Sequence, residues 1–140
     1  MAIVGDTGNG ATITLATTGG TYAITNIAIS EITVDFQDTS TLSSADFEEK
    51  LANALKTNPE LTVDFIWDTS STTIPDPGSA AETVTVTWPL RAGETTAANL
   101  AGTGQVSALK YPDFANGQLQ TGQFKVMYNG DTGPTYTEGS

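Results

Sequence analysis

Carboxylates are the side chains of this sequence with the widest range of possible chemistry. Its 140 residues include 16 acidic and five basic residues, and neither histidine nor cysteine. Thiolate nucleophiles, zinc sites built from Cys and His, and Ser–His–Asp triads are therefore excluded. Asp35, Asp64 and Asp68 fall on predicted strands, and carboxylate pairs about 5–9 Å apart hydrolyse glycosides. No aromatic-rimmed cleft accompanies them, so we interpret them as solvated sheet-face charges and expect no enzymatic activity.

Two short motifs resemble known sites without their context. Asp-Thr-Gly, the aspartic-protease motif, occurs at Asp6–Gly8 and Asp131–Gly133, in polar, glycine-rich ends rather than after an apolar strand. Gly102–Gly104 neither opens a predicted helix nor precedes a lysine, as a phosphate-binding loop would. All three are typical of turns. We therefore predict no metal and no cofactor.

The charge limits the class of partner. The formal net charge is −11 and the isoelectric point is about 4.1. Gripping nucleic acid needs clustered Lys and Arg to neutralise phosphates, so specific nucleic-acid binding is not expected. No apolar run approaches the roughly 18 residues of a membrane span, and the first residues lack a basic start. We expect no membrane association and no signal peptide.

The elements that position these residues are mostly strands. A chain of 140 residues with 38% hydrophobic residues and much Thr and Gly predicts one mainly β (α+β) domain over 1–140. Residues 1–23 are predicted to form a flexible N-terminal arm with at most one short strand. The tail 129–140 is predicted to be exposed and turn-rich.

Alternating apolar residues predict five longer strands. The first covers Ile24 to Gln37, with a phase change near Ser30 typical of a β-bulge. The others cover 61–68, 83–90, 105–111 and 123–128. The 13-residue loop 69–81 is longer than a hairpin needs, and loops of that length are often functional.

One helix is predicted at about 44–57. Phe47, Leu51, Ala54 and Leu55 recur at helical spacing, and Ser43 follows Leu42 as an N-cap. A helix packed on a sheet predicts that Leu51→Asp prevents folding. The predicted helix–sheet core is Phe47, Leu51, Leu55, Phe65, Trp67 and Trp88. The predicted polar sheet face is Thr33, Asp35, Asp64 and Thr85.

Six segments in this order resemble one family. The first three are Ile27–Thr41, which contains Asp35-Phe36-Gln37-Asp38, Asp46–Lys56, which begins Asp-Phe-Glu-Glu-Lys-Leu, and Glu60–Asp68, which begins Glu-Leu-Thr-Val-Asp. The last three are Val84–Leu90, which contains Val-Thr-Trp-Pro, Gly104–Leu109, and Gly122–Gly130. The chain is similar in these segments to the major tail tube proteins of long-tailed bacteriophages, relatives of the tube proteins of contractile injection systems.

The resemblance implies a β-sandwich or barrel with one flanking helix, assembled as stacked homohexameric rings around a channel for ejected double-stranded DNA. It implies a virion tail location after assembly in the host cytoplasm. The implied partners are other copies, tape measure, tail terminator and tail tip or baseplate proteins. Residues 1–23 and loop 69–81, with Ile74, Pro75, Asp76 and Pro77, are candidate ring-stacking elements. The alternatives are a capsid decoration or head–tail joining protein, and a carbohydrate-binding β-sandwich module.

Overall fold

The structure is a computed structural model that describes residues 9–20, 22–42, 45–70 and 73–140. These ranges contain nine strands and no helix, and so no helix able to span a membrane. The strands are β1 (Thr12–Leu15), β2 (Ala23–Ile29), β3 (Val34–Asp38), β4 (Lys50–Lys56), β5 (Glu60–Ile66), β6 (Glu82–Thr87), β7 (Asn99–Lys110), β8 (Thr121–Tyr128) and β9 (Thr135–Thr137).

Seven strands form one antiparallel sheet in the order β1-β6-β7-β8-β5-β2, with β9 beside the start of β7. The prediction of a mainly β fold is confirmed. The two strands at the ends of this order, β1 and β2, each pair with only one neighbour among the described residues. The sheet therefore has two open edges, which isolated sheets usually protect.

The sheet curls around a core made by one of its faces. Burial alternates strictly along β5, as the period of two along a strand requires. The rings of Tyr22, Phe65 and Phe124 meet at its centre, with centroids 5.3–5.7 Å apart. The buried apolar side chains are Ile13, Leu15, Tyr22, Leu61, Val63, Phe65, Val84, Val86, Val106, Phe124, Val126 and Tyr128.

Strands β3 and β4 form a second, two-stranded sheet that continues β2 and β5 beyond the main sheet. The backbone remains paired across the junction, because Ser30 N donates to Glu60 O and Thr57 N donates to Thr33 O. The phase change predicted near Ser30 coincides with the break between β2 and β3. We call residues 30–59 the projecting hairpin.

The predicted helix at 44–57 is wrong, because Lys50–Lys56 is a strand paired with β3. The residues of this segment favour helices intrinsically, and pairing with a neighbouring strand overrides such weak preferences. The proposed cap, Ser43, lies outside the described residues.

Both chain ends contribute strands. Within the predicted N-terminal arm, residues 12–15 pair with β6, and residues 1–8 lie outside the described ranges. In the C-terminal tail, β9 pairs with β7, and Ser140 O accepts hydrogen bonds from Thr95 N and Thr96 N at 2.6 and 2.8 Å.

Loop 69–81 packs on its own domain in its described part, 69–70 and 73–81. Gly78 N donates to Val106 O and Gln105 Nε2 donates to Ser79 O. The loop therefore covers the part of β7 that follows Gly104, where the pairing of β7 with β6 ends. The Tyr22 hydroxyl donates to Thr73 O at 2.8 Å. The loop's length has a structural reason, which is that it closes an otherwise open strand edge.

Candidate interaction surfaces

The three strand carboxylates do not form a catalytic pair. Asp64 Oδ1 accepts from Gln123 Nε2 at 2.8 Å, while Asp68 Oδ1 accepts from Ser70 N at 2.9 Å in a turn after β5. Asp35 is exposed on β3 of the projecting hairpin, beyond the opposite end of β5. Among the described residues, no group of three metal-ligating side chains is present.

The second Asp-Thr-Gly motif is a turn. Gly133 has a φ of 67°, which favours glycine, and its N–H donates to Gly130 O. With Ile32, Leu55 and Pro59 of the projecting hairpin, this turn lines a cavity of about 380 Å³. The first copy, residues 6–8, lies outside the described residues.

The outer face of the main sheet is polar and lightly charged. Strand register places Asp64 and Gln123 in one cross-strand row and Thr62 and Lys125 in the next. Thr85 lies further across the same face, between Thr14 and Ala101. Hydroxyls and amides predominate, and the acidic charge of the chain lies mostly elsewhere. Of the predicted polar face, Asp64 and Thr85 share this surface, whereas Thr33 and Asp35 belong to the projecting hairpin.

The projecting hairpin exposes apolar side chains on both of its faces. Phe36 lies opposite Ala52 on one face, and Leu51 lies opposite Gln37 on the other. The fractional exposure is 87% for Phe47, 85% for Leu55 and 61% for Leu51. With Ile32, Phe36 and Leu42, these side chains expose on the order of 900 Å² of apolar surface, divided between the two faces of the hairpin.

The predicted core residues are therefore divided among three places. Phe65 is fully buried, and Trp67 stacks on it with centroids 5.7 Å apart. Trp88 packs edge-on against Tyr136 outside the core cluster. Phe47, Leu51 and Leu55 are exposed, so their prediction as core residues is wrong. They sit on the projecting hairpin, which meets the rest of the described chain near its base, at the 131–133 turn.

A second apolar surface lies on the β7–β8 loop, residues 111–120. Tyr111, Phe114 and Leu119 are exposed there, Phe114 by 89%. Tyr111 also contacts the ring of Trp67, with centroids 5.5 Å apart. These residues were not predicted from the sequence to be functional. The sequence feature that could have identified them is the presence of three large apolar residues in a connection between strands, where polar turn residues are expected.

Loop 69–81 offers a smaller surface. Pro75 is buried, whereas Ile74 is 44% exposed and Asp76 and Pro77 are also exposed. Beneath it, the Glu82 carboxylate accepts hydrogen bonds from Thr18 N and Oγ1 at 3.2 and 3.1 Å. Burial, and then the Glu82 charge, raises the pKa of Tyr22 to about 12. In the described part of this loop, Ile74, Asp76 and Pro77 are exposed and can contact another molecule.

No family model and no curated protein sequence matches this chain. Solved structures do. The anti-feeding prophage tube-terminating cap matches with a TM-score of 0.74 at 13% identity, covering 99% of this chain and 95% of that one. The sheath/tube terminator of the extracellular contractile injection system PVC matches with a TM-score of 0.73 at 9% identity, covering 98% and 99%.

The tail of an empty gene transfer agent particle, refined with helical and C6 symmetry, matches with a TM-score of 0.68 at 14% identity, covering 95% of this chain and 99% of that one. The chain has the fold of tail tube and tube-terminator proteins. At such low identities the likeness establishes the fold alone. The similar structures are parts of large assemblies.

Proposed function

We propose that this protein is a structural subunit of the tail tube of a long-tailed bacteriophage or a related particle. In this role it assembles into stacked homohexameric rings around a channel through which DNA is ejected. The observation on which the proposal rests is the sheet with two open edges, β1 and β2, in a chain with the tail-tube fold. Joining the β1 edge of one copy to the β2 edge of the next satisfies the unpaired backbone groups of both.

Six-fold closure is supported by the C6 symmetry of the similar gene transfer agent tail. A ring in which every copy uses the same two different edges is a heterologous closed assembly, and it leaves neither the β1 edge nor the β2 edge exposed. The sheet edges thus supply the contact around the ring. The ring partners are other copies, and tape measure, terminator and tip or baseplate proteins are the partners proposed along the tail axis and at its ends.

The outer face of the main sheet is the proposed channel wall. Hydroxyls and amides predominate on this face, Asp64 is hydrogen-bonded to Gln123, and the two lysines, Lys110 and Lys125, share the face with Asp64 and Glu60, so that it has no net positive charge. Because each phosphate held by Lys or Arg adds to affinity, a wall of this kind lets DNA pass without being bound. Loop 69–81, with its exposed tip at Asp76 and Pro77, is proposed to contact the next ring.

A second candidate is a tube terminator, a ring that caps the tube and does not repeat. The cap and terminator structures match with TM-scores of 0.74 and 0.73, against 0.68 for the gene transfer agent tail, which favours this alternative. The two roles differ in one property, because a tube subunit needs axial contacts on both of its ends and a terminator needs them on one.

Electron microscopy of the purified protein tests these roles. Rings with six-fold averages that stack into hollow tubes support the tube subunit, and six-fold rings that never stack support the terminator. Assembly should strengthen with added salt, because copies with a net charge of −11 repel one another. A strict monomer at all salt concentrations would refute both. A monomer that binds empty capsids would indicate a decoration or joining protein, and retention on a polysaccharide column would indicate the carbohydrate-binding module.

A further inference from the structure

Asparagine is followed directly by glycine at three places in the chain, 9–10, 116–117 and 129–130. At such a pair the side-chain amide can react with the chain's own backbone, because glycine has no side chain to hinder the approach of its nitrogen to the amide carbon. The structure gives the last two pairs very different surroundings. Asn9 follows residues outside the described ranges, so the comparison that the structure supports is between Asn116 and Asn129.

Asn116 and Gly117 lie in the exposed β7–β8 loop, at the centre of a turn closed by a hydrogen bond from Gln118 N to Ala115 O. Such a turn uses the N–H of its fourth residue and leaves the N–H of its third residue, here Gly117, to solvent. Apart from its chain neighbours, no atom of the described chain lies within 4 Å of the position that a Cβ would take on Gly117. The side chain of Asn116 and the nitrogen of Gly117 therefore have open space in which to approach each other.

Asn129 is also exposed, but hydrogen bonds hold both its backbone and its side chain. Its backbone N–H donates to Thr103 O at 3.0 Å, and its Nδ2 donates to Gln105 Oε1 at 3.2 Å. The carbonyl oxygen of Gly130 accepts from Gly133 N at 3.1 Å. Closing a ring between Asn129 and Gly130 breaks bonds of this kind, and the loss of each corresponds to roughly a fivefold change in an equilibrium. The reaction at Asn129 is therefore expected to be slower by on the order of tenfold.

We propose that Asn116 is a site of spontaneous modification, at which the chain converts this asparagine to aspartate and isoaspartate. The nitrogen of Gly117 attacks Cγ of Asn116 and gives up its proton, while the Cγ–Nδ2 bond breaks and the side-chain nitrogen takes up that proton and leaves as ammonia. One water molecule then opens the resulting succinimide ring at either of its two carbonyl carbons. Opening at Cγ leaves aspartate in the normal chain, and opening at the backbone carbonyl carbon leaves isoaspartate, in which the chain runs through the side chain.

The modification changes the charge of the β7–β8 loop. The amide of Asn116 is neutral, and either product adds one negative charge to a loop in which the carboxylate of Asp113 pairs with Lys110 Nζ at 3.5 Å. The exposed side chains of Phe114 and Leu119 belong to the same loop. Because a charge is costly to desolvate, a molecule that covers these apolar side chains would bind the modified protein less well than the fresh protein. The binding properties of this surface therefore depend on the age of the protein.

Peptide mass spectrometry after incubation of the native protein in mildly alkaline buffer tests the proposal. Trypsin cuts after Lys110 and Lys125, so Asn116 and Asn129 fall on separate peptides that contain no other asparagine. We expect the acid form of the 111–125 peptide, resolved by chromatography into aspartate and isoaspartate, to accumulate on the order of tenfold faster than that of the peptide that follows it. Equal rates, or faster modification of Asn129, would overturn the proposal.

The same incubation in guanidinium chloride separates the effect of structure from that of sequence. The unfolded chain should modify Asn116 and Asn129 at similar rates, and a difference that persists unchanged would overturn the structural explanation. Gln105→Ala removes one hydrogen bond to Asn129 and should speed modification there several-fold, with circular dichroism to check folding; an unchanged rate would contradict the assigned protection. Asn116→Gln, whose longer side chain would need a larger ring, is the matched control, and an equal yield of acid from it would overturn the ring mechanism. None of these outcomes depends on assembly, so the inference does not rest on the proposed function.

Discussion

Replacing Gly122 with alanine tests the aromatic core with one added methyl group. Gly122 pairs with Phe65, and an added Cβ would lie 2.7 Å from Trp67 Cε3 and 2.9 Å from Phe65 Cζ. Neither ring has free space, because Trp67 stacks on Phe65, which in turn contacts Tyr22 and Phe124. Overpacking of this kind costs about 1–3 kcal/mol, which lowers Tm by about 3–10 °C for a domain of this size.

The sign of the effect makes this test informative. Glycine to alanine within a strand ordinarily stabilises by about 0.5–1 kcal/mol, since the unfolded chain loses freedom. Urea unfolding followed by tryptophan fluorescence gives the free energy of unfolding. Gly130→Ala is the control, because its Cβ would lie 3.4 Å from Thr103 Cβ, an ordinary contact, and its stability should stay within about 0.5 kcal/mol of the parent. If Gly122→Ala proves as stable as Gly130→Ala, the two rings do not cover this position.

Three other perturbations have defined outcomes. Burial raises the pKa of Tyr22 and Tyr128 to about 12. Their contribution to the free energy of unfolding is therefore complete below about pH 10 and is lost as the pH rises towards 12, because the unfolded chain loses these protons first. The midpoint of urea unfolding should fall over this range, and it should fall less steeply in Tyr22→Phe. Leu51→Asp should fold normally and fail to assemble, as circular dichroism and sizing would report; an unfolded variant would refute the exposed position of Leu51. Tubes of Thr85→Arg should retain a fluorescent oligonucleotide at low salt and release it at high salt, whereas unchanged retention would place Thr85 outside the channel.

Strands that bury one face were predictable, and their reason is physical. Val63 and Phe65 alternate with Thr62 and Asp64, and the structure buries the first pair within β5. A period of two survives in the sequence wherever one side of a strand meets a core and the other meets water. The loop 69–81 was located for its length, but its backbone contacts with β7 leave no pattern in its own residues.

The hairpin could not be predicted by the same argument. Phe47, Leu51 and Leu55 match a helical stripe, yet the segment Lys50–Lys56 pairs with β3. These three side chains are largely exposed, so burial within this chain does not select the alternation of a strand there. Tyr111, Phe114 and Leu119 were missed for a related reason, since loops are expected to be polar.

The continuity of the projecting hairpin with β2 and β5 has a mechanical consequence. A pull on the hairpin tip is transmitted through the Ser30–Glu60 junction directly along the two strands. The hydrogen bonds between antiparallel strands lie perpendicular to the strands. Tension along the strands therefore loads many of these bonds in shear at the same time, and they do not break one after another. The fold can therefore resist force along its strands through backbone hydrogen bonds, with little demand on its side-chain contacts.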